Sequence, residues 1–114
     1  MTGEAVSPAR SYEHPDAADI TLPRVLFALS DPLRLGMIHR LADNGGEVDS
    51  RELGPGLPKS TLTHHTRLLR ESGLTWTRGE GRKCLISLRR EDLDARFPGL
   101  LDTVLEGWRP ESGV

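Results

Sequence analysis

The sequence predicts a mainly α domain with one small β-hairpin, on three observations. Apolar residues recur at helical spacing near residues 22–29 and again over 33–42. Two shorter helical stretches are split by Gly54-Pro55-Gly56, the tight break of a helix-turn-helix unit. The stretch LTWTRGEGRKCLISL then changes character, with Thr, Trp and Ile flanking a Gly-Glu-Gly centre, as a hairpin does.

Taken in order, residues 1–19 mix Pro, Ser, Ala and acids without a period. They are expected to form a mobile arm, ordered at most near its end, ahead of a domain over residues 20–110. In TLPRVLFALS, Leu22, Val25, Leu26 and Leu29 share one helical face, Thr21 offers a cap and Pro23 fits the first turn. In SDPLRLGMIHRLADNGG, Asp31 is an N-cap acceptor and the missing N–H of Pro32 costs nothing at a helix start. Leu35, Ile38 and Ala42 share one face and Leu33, Met37 and Leu41 the next, so this helix is expected at the centre of the core. Asn44-Gly45-Gly46 ends it, and His39 within it is expected to be a satisfied or solvated side chain.

Ser50 is expected to cap a short helix over SRELG, and Gly73 to close the helix of KSTLTHHTRLLRESG. Gly79-x-Gly81 lacks the apolar strand before it and the helix after it that a phosphate loop needs, so it marks a hairpin turn. REDLDARF and PGLLDTVLEGW are helical, with Leu101, Val104, Leu105 and Trp108 as one apolar stripe.

A chain of 114 residues has room for one compact core. No run approaches the roughly 18 apolar residues of a membrane span, the first nineteen residues hold no apolar signal-peptide core, and the cytoplasm is the expected compartment. With Cys84 the single cysteine, no internal disulfide is available. The net charge of −2 is unevenly spread. Between Ser50 and Arg90 nine cations face three anions, a local +6 that leaves −8 for the rest. A basic middle between acidic ends suits a protein that presents one face to a polyanion.

The adjacent pair His64-His65 raises a choice between metal, catalysis and recognition. Histidines that share an ion from one helix are usually spaced i, i+4, and no second cysteine or nearby carboxylate completes a set. Nothing provides a nucleophile, a base and an orienting acid at a workable spacing, so no enzyme is expected. On a helix at about 100° per residue, Leu62, Thr66 and Leu69 cluster, with His65 at the edge of that face. Ser60, Thr63, His64 and Arg67 fall on the opposite side and Lys59 near the start. Small hydroxyls beside longer donors suit base edges and phosphates of double-stranded DNA.

LFALSDPLRLGMIHRL, KSTLTHHTRLLRESGL and EGRKCLISL, in that order, resemble the ArsR-type winged helix-turn-helix repressors, over roughly residues 22–88. The resemblance implies a winged helix-turn-helix fold and a homodimer built from the first and last helices, with one recognition helix and one wing per subunit on DNA. Lys59, Ser60, Thr63 and His64 match the family's recognition residues, and Arg82 its basic wing residue. Arg67, Arg78, Arg82 and Lys83 are the expected phosphate contacts.

Departures from the family matter equally. Where metal-sensing members carry Cys-x-Cys, this chain has Val48-Asp49-Ser50. Where others place Asp/His pairs in the last helix, it has Asp92, Asp94, Asp102 and Glu106 without histidine. A soft-metal site needs thiolates or imidazoles, so no metal and no cofactor are expected, and any inducer is an unknown small molecule or a redox signal. By alternation Cys84 shares a face with Ile86 and Leu88 and is expected to be an inert buried thiol, although Arg82 and Lys83 lie close enough in sequence to keep a redox role open. A winged-helix module that binds protein and not DNA is the alternative, which the basic middle disfavours.

Overall fold

A computed structural model describes residues 12–110. Residues 1–11, the greater part of the expected arm, lie outside the described residues.

Helix α1 spans Leu22–Leu29 and α2 spans Pro32–Asn44, joined by the short Ser30-Asp31 link. Asp31 caps α2 as expected: its carboxylate accepts from the N–H groups of Leu33 and Arg34, at 2.9 and 3.1 Å. Gly45 closes α2 in the left-handed conformation. Thr21 takes the N-cap position of α1 but its side chain makes no capping bond.

Strand β1 is only Val48–Asp49, and α3 follows at Ser50–Leu53. The cap of α3 is Asp49, one residue before the expected Ser50. Its carboxylate accepts from the Arg51 N–H at 3.0 Å, and the longer acid also reaches the Arg51 guanidinium. Helix α4 spans Lys59–Glu71, β2 Thr75–Glu80 and β3 Lys83–Leu88. The chain ends in α5, Arg90–Arg96, and α6, Leu100–Gly107.

The three strands form an antiparallel sheet in the order β1-β3-β2, so β2 is an edge. β2 and β3 are the hairpin, with Glu80 opposite Lys83. Its turn is therefore Gly81-Arg82, one position later than a Gly-Glu-Gly centre suggests. Gly81 sits at φ 61°, a conformation glycine adopts without strain. β1 is too short to carry an alternating pattern, and the sequence reading did not anticipate it.

Core residues come from every layer. Met37, Ile38 and Leu41 of α2 meet Val25 and Ala28 of α1, Leu69 of α4, Leu74, Ile86 of β3, Leu93 and Leu101 in one buried cluster. Helix α2 is central as expected, but Leu33 at its start is exposed. Gly73 turns the chain out of α4 at φ 89°, and a Cβ there would fall 2.5 Å from Ile20 Cγ1. Glycine is required at that point by both backbone and packing. His39 is buried and bonds through Nε2 to the Trp108 carbonyl, a satisfied histidine.

Both terminal stripes divide. Val25 and Leu29 enter the core, whereas Leu22, Leu26 and Phe27 remain exposed, Phe27 at 61%. Leu101 is buried, Val104 and Leu105 are half-buried and Trp108 stays exposed. Cys84 is half-buried and not enclosed like Ile86: it sits two residues nearer the hairpin turn, opposite Gly79, which has no side chain to cover it.

Candidate nucleic-acid interface

Helix α4 has two chemically different faces. Leu62, His65, Thr66 and Leu69 are buried. Lys59, Ser60, Thr63, His64 and Arg67 are exposed. The face read from the helical period as a reader is thus a continuous stripe of ammonium, hydroxyl, imidazole and guanidinium groups in solvent.

The buried side is held by packing and by one polar tie. Arg34 of α2, itself buried, donates through Nε to the Ala28 carbonyl at the end of α1, at 2.7 Å. Its NH1 donates to His65 Nδ1 at 3.1 Å. His65 Nδ1 is therefore an acceptor and its ring is neutral there. Burial lowers the His65 pKa; Asp31, 4.0 Å away, opposes that shift, and Arg34 adds to it. Arg34 so joins the ends of α1 and α2 to the back of α4.

Between α4, the Gly54-Pro55-Gly56 turn and the hairpin lies a cleft of about 640 Å³. It gathers Lys59, Thr63 and Arg67 from α4 and Arg82 from the hairpin turn. These groups were all singled out in the sequence, and the fold brings them to one surface. Ser60, His64, Arg78 and Lys83 do not line the cleft. Ser60 and His64 continue the α4 stripe beside it, and Lys83 is exposed on β3.

Arg78, an expected phosphate contact, is engaged within the chain. Its guanidinium is already engaged by two carboxylates, Glu47 at 2.6 and 2.8 Å and Glu80 at 2.9 Å. The Arg78 hydrogen bond holds the Glu47 carboxyl below its ordinary pKa, so the pair persists through neutral pH. The charge counted for phosphate at this position is locally compensated. Arg51 is likewise paired with Asp49, whose pKa is lowered to about 2, first by the Arg51 side-chain bond and then by its backbone N–H.

Sequence reasoning passed over Arg70 and Tyr12, which also line the cleft. Arg70 lies three residues after Arg67 and seven after Thr63, so the helical period was signal enough. Tyr12 carried no such signal, lying in a stretch without periodicity. Among the described residues no group of three or more His, Cys, Asp or Glu side chains comes together as a metal site, and no helix is long and apolar enough to cross a membrane.

Comparison with known proteins agrees with this architecture. No family model matches the chain. An uncharacterized HTH-type transcriptional regulator of Bacillus subtilis (strain 168), YceK, is 37% identical over 83 residues, spanning 71% of this chain and 83% of the relative. Among solved structures, an ArsR family transcriptional regulator superposes with a TM-score of 0.60 at 25% identity, over 72% of this chain and 84% of its own. The transcriptional repressor BigR of Xylella fastidiosa gives 0.53 at 28% identity, over 67% and 85%. A possible transcriptional regulator for arsenical resistance gives 0.56 at 28% identity, over 73% and 84%.

Proposed function

Since the chain belongs to the ArsR-type winged helix-turn-helix transcriptional regulators, a non-enzymatic family, we propose that it is a homodimeric cytoplasmic repressor that reads an operator with α4 and grips the flanking backbone with its wing. The observation that carries this reading is the exposed stripe of Lys59, Ser60, Thr63, His64 and Arg67 on a helix whose other face is locked into the core. Lys59, Ser60, Thr63 and His64 contact base edges in the major groove. Arg67, Arg82 and Lys83 contact phosphates, which position without specifying.

Dimerisation rests on apolar surface that one subunit leaves uncovered. Leu22, Leu26 and Phe27 of α1 lie in solvent at 40, 46 and 61% exposure, and Trp108 after α6 at 36%. A second copy covering these helices sets two α4 readers about 34 Å apart, one turn of the duplex, and calls for a pseudo-palindromic site. The proposed signal is not a metal: among the described residues no three His, Cys, Asp or Glu side chains come together as a metal site, and the sequence has one cysteine and no histidine in its last two helices.

Sequencing the genomic fragments that the purified protein retains tests the reading. The expected outcome is enrichment of an inverted repeat upstream of a gene, with retention unaffected by micromolar zinc, cadmium or arsenite. Sedimentation at micromolar concentration should give the dimer mass. A monomer that still binds DNA tightly would overturn the assembly, and retention of no sequence above background would overturn DNA reading itself.

A further inference from the structure

The first described residues do not hang free. The Tyr12 ring lies under the Arg70 guanidinium of α4, 4.9 Å from centroid to carbon, and its hydroxyl donates to Cys84 Sγ of β3 at 3.7 Å. His14 Nε2 accepts the Thr77 N–H of β2 at 2.9 Å, and its ring packs edge-on against Trp76 at 5.1 Å. The Pro15 carbonyl accepts from Arg89 NH1 at 2.8 Å. Arg89 in turn lies over the Trp76 ring, 3.7 Å from its centroid, and pairs with Asp92. Residues 12–15 thus touch α4, both hairpin strands and the residue that opens α5. The expected arm is laid down as a strap from Tyr12 onward.

β2 is an edge strand, and edge strands expose N–H groups that pair with whatever strand approaches. The Thr77 N–H is one such group, and His14 satisfies it. We infer that His14 is a positioning residue for DNA binding: by accepting the Thr77 N–H it pins residues 12–15 against the edge of β2 and fixes the set of the wing against α4. The inference rests on the DNA-reading function and adds a residue remote from the exposed α4 stripe. Tyr12 and Arg70 line the same cleft as Lys59, Arg67 and Arg82, so the strap is part of the surface whose two walls must hold a constant spacing to meet adjacent phosphates.

The bond requires a neutral imidazole, since a protonated ring has no acceptor. The charged groups that act on it are the cations Arg89 and Arg70; Asp92 is paired with Arg89, and the Tyr12 hydroxyl is bonded to Cys84. Burial first, then Arg89 and Arg70, lower the His14 pKa. With the docked pKa below the free one, docking is strongest above the free value of about 6.5 and weakens as pH falls below it.

The test uses the full chain and two variants, His14→Ala and His14→Gln. A glutamine carbonyl can accept the Thr77 N–H but does not titrate in this range. Hydrogen exchange of the wing amides and DNA affinity on the retained operator fragment are read at pH 7.5 and pH 5.5. His14→Ala should speed exchange at Thr77 and weaken operator binding by roughly three- to tenfold, the weight of about one hydrogen bond. His14→Gln should restore both, and should lose less affinity than the wild type on going to pH 5.5; the two proteins share His64 and His65, so the difference isolates position 14. Unchanged wing exchange in His14→Ala, or faster exchange with unchanged DNA affinity, overturns the inference. If the wild type retains no DNA at all, the DNA reading fails and the positioning role with it, while the exchange data still report separately whether the strap pins the wing.

Discussion

Helix α4 and the β2–β3 wing both offer cations to the same cleft, yet they hold them differently. On α4, Lys59 and Arg67 stand exposed on a face set by the helix itself, with Leu62, Thr66 and Leu69 buried behind them. On the wing, Arg78 is clamped by Glu47 and Glu80, and Arg82 sits exposed in the turn, after Gly81. A helix fixes side-chain direction by local periodicity. A strand fixes only the face, and the partner of each charge comes from whatever segment lies alongside. The helix therefore sets the direction of each outward side chain by itself, whereas the wing carries a charge balance that depends on the fold.

The largest effect expected from breaking this contrast is on the support behind the outward stripe of α4. Leu69 is fully buried. Leu69→Ala should cost about 3 kcal/mol of stability, from lost transfer energy and the cavity left behind. A chemical unfolding midpoint at fixed protein concentration measures it. A loss below about 1 kcal/mol would mean that α4 is not anchored by its apolar face. In that case its outward stripe would lack the rigid backing that base reading requires.

How much of this was legible beforehand follows the same division. The inward lean of His65 and the outward stripe of α4 followed from the helical period alone. The Asp31 cap followed from an acid before a proline, and its geometry is as expected. Three features were not legible. β1 is two residues long and is defined only by its pairing with Leu85 and Ile86. Arg78 finds Glu47 thirty-one positions away, across the sheet, and no local pattern announces that pair. The docking of Tyr12 and His14 depends on Arg70, Thr77 and Arg89, all more than fifty positions downstream. Period-based reading recovers what a segment does to itself and misses what distant segments do to one another.

A sharper form of the comparison sets one α4 side chain against one wing side chain. His64 is exposed on the outward stripe of α4. If it meets a base edge, His64→Ala should cost about 2 kcal/mol on the operator and much less on scrambled duplex, because a lost base contact removes discrimination and leaves backbone binding in place. Equal losses on both duplexes, measured by paired binding titrations, would make His64 a backbone contact like those of the wing.

The smallest expected effect tests the wing within itself. Arg82 and Arg78 carry the same group on the same hairpin, but carboxylates already hold Arg78. A guanidinium that neutralises a phosphate releases counterions, so Arg82→Ala should make the slope of log K against log salt shallower by about 1 per subunit. Arg78→Ala should leave that slope nearly unchanged, since the residue it removes brings no uncompensated charge to the duplex. Because the Glu47 carboxyl is held below its ordinary pKa, it stays ionised at pH 6 as at pH 8, and the insensitivity to Arg78→Ala should persist at both. Salt titrations of the two variants on one duplex decide the matter. If Arg78→Ala flattens the slope as much as Arg82→Ala does, phosphate displaces Glu47 and Glu80 on binding, and the wing exchanges an internal charge balance for an external one at the moment it meets DNA.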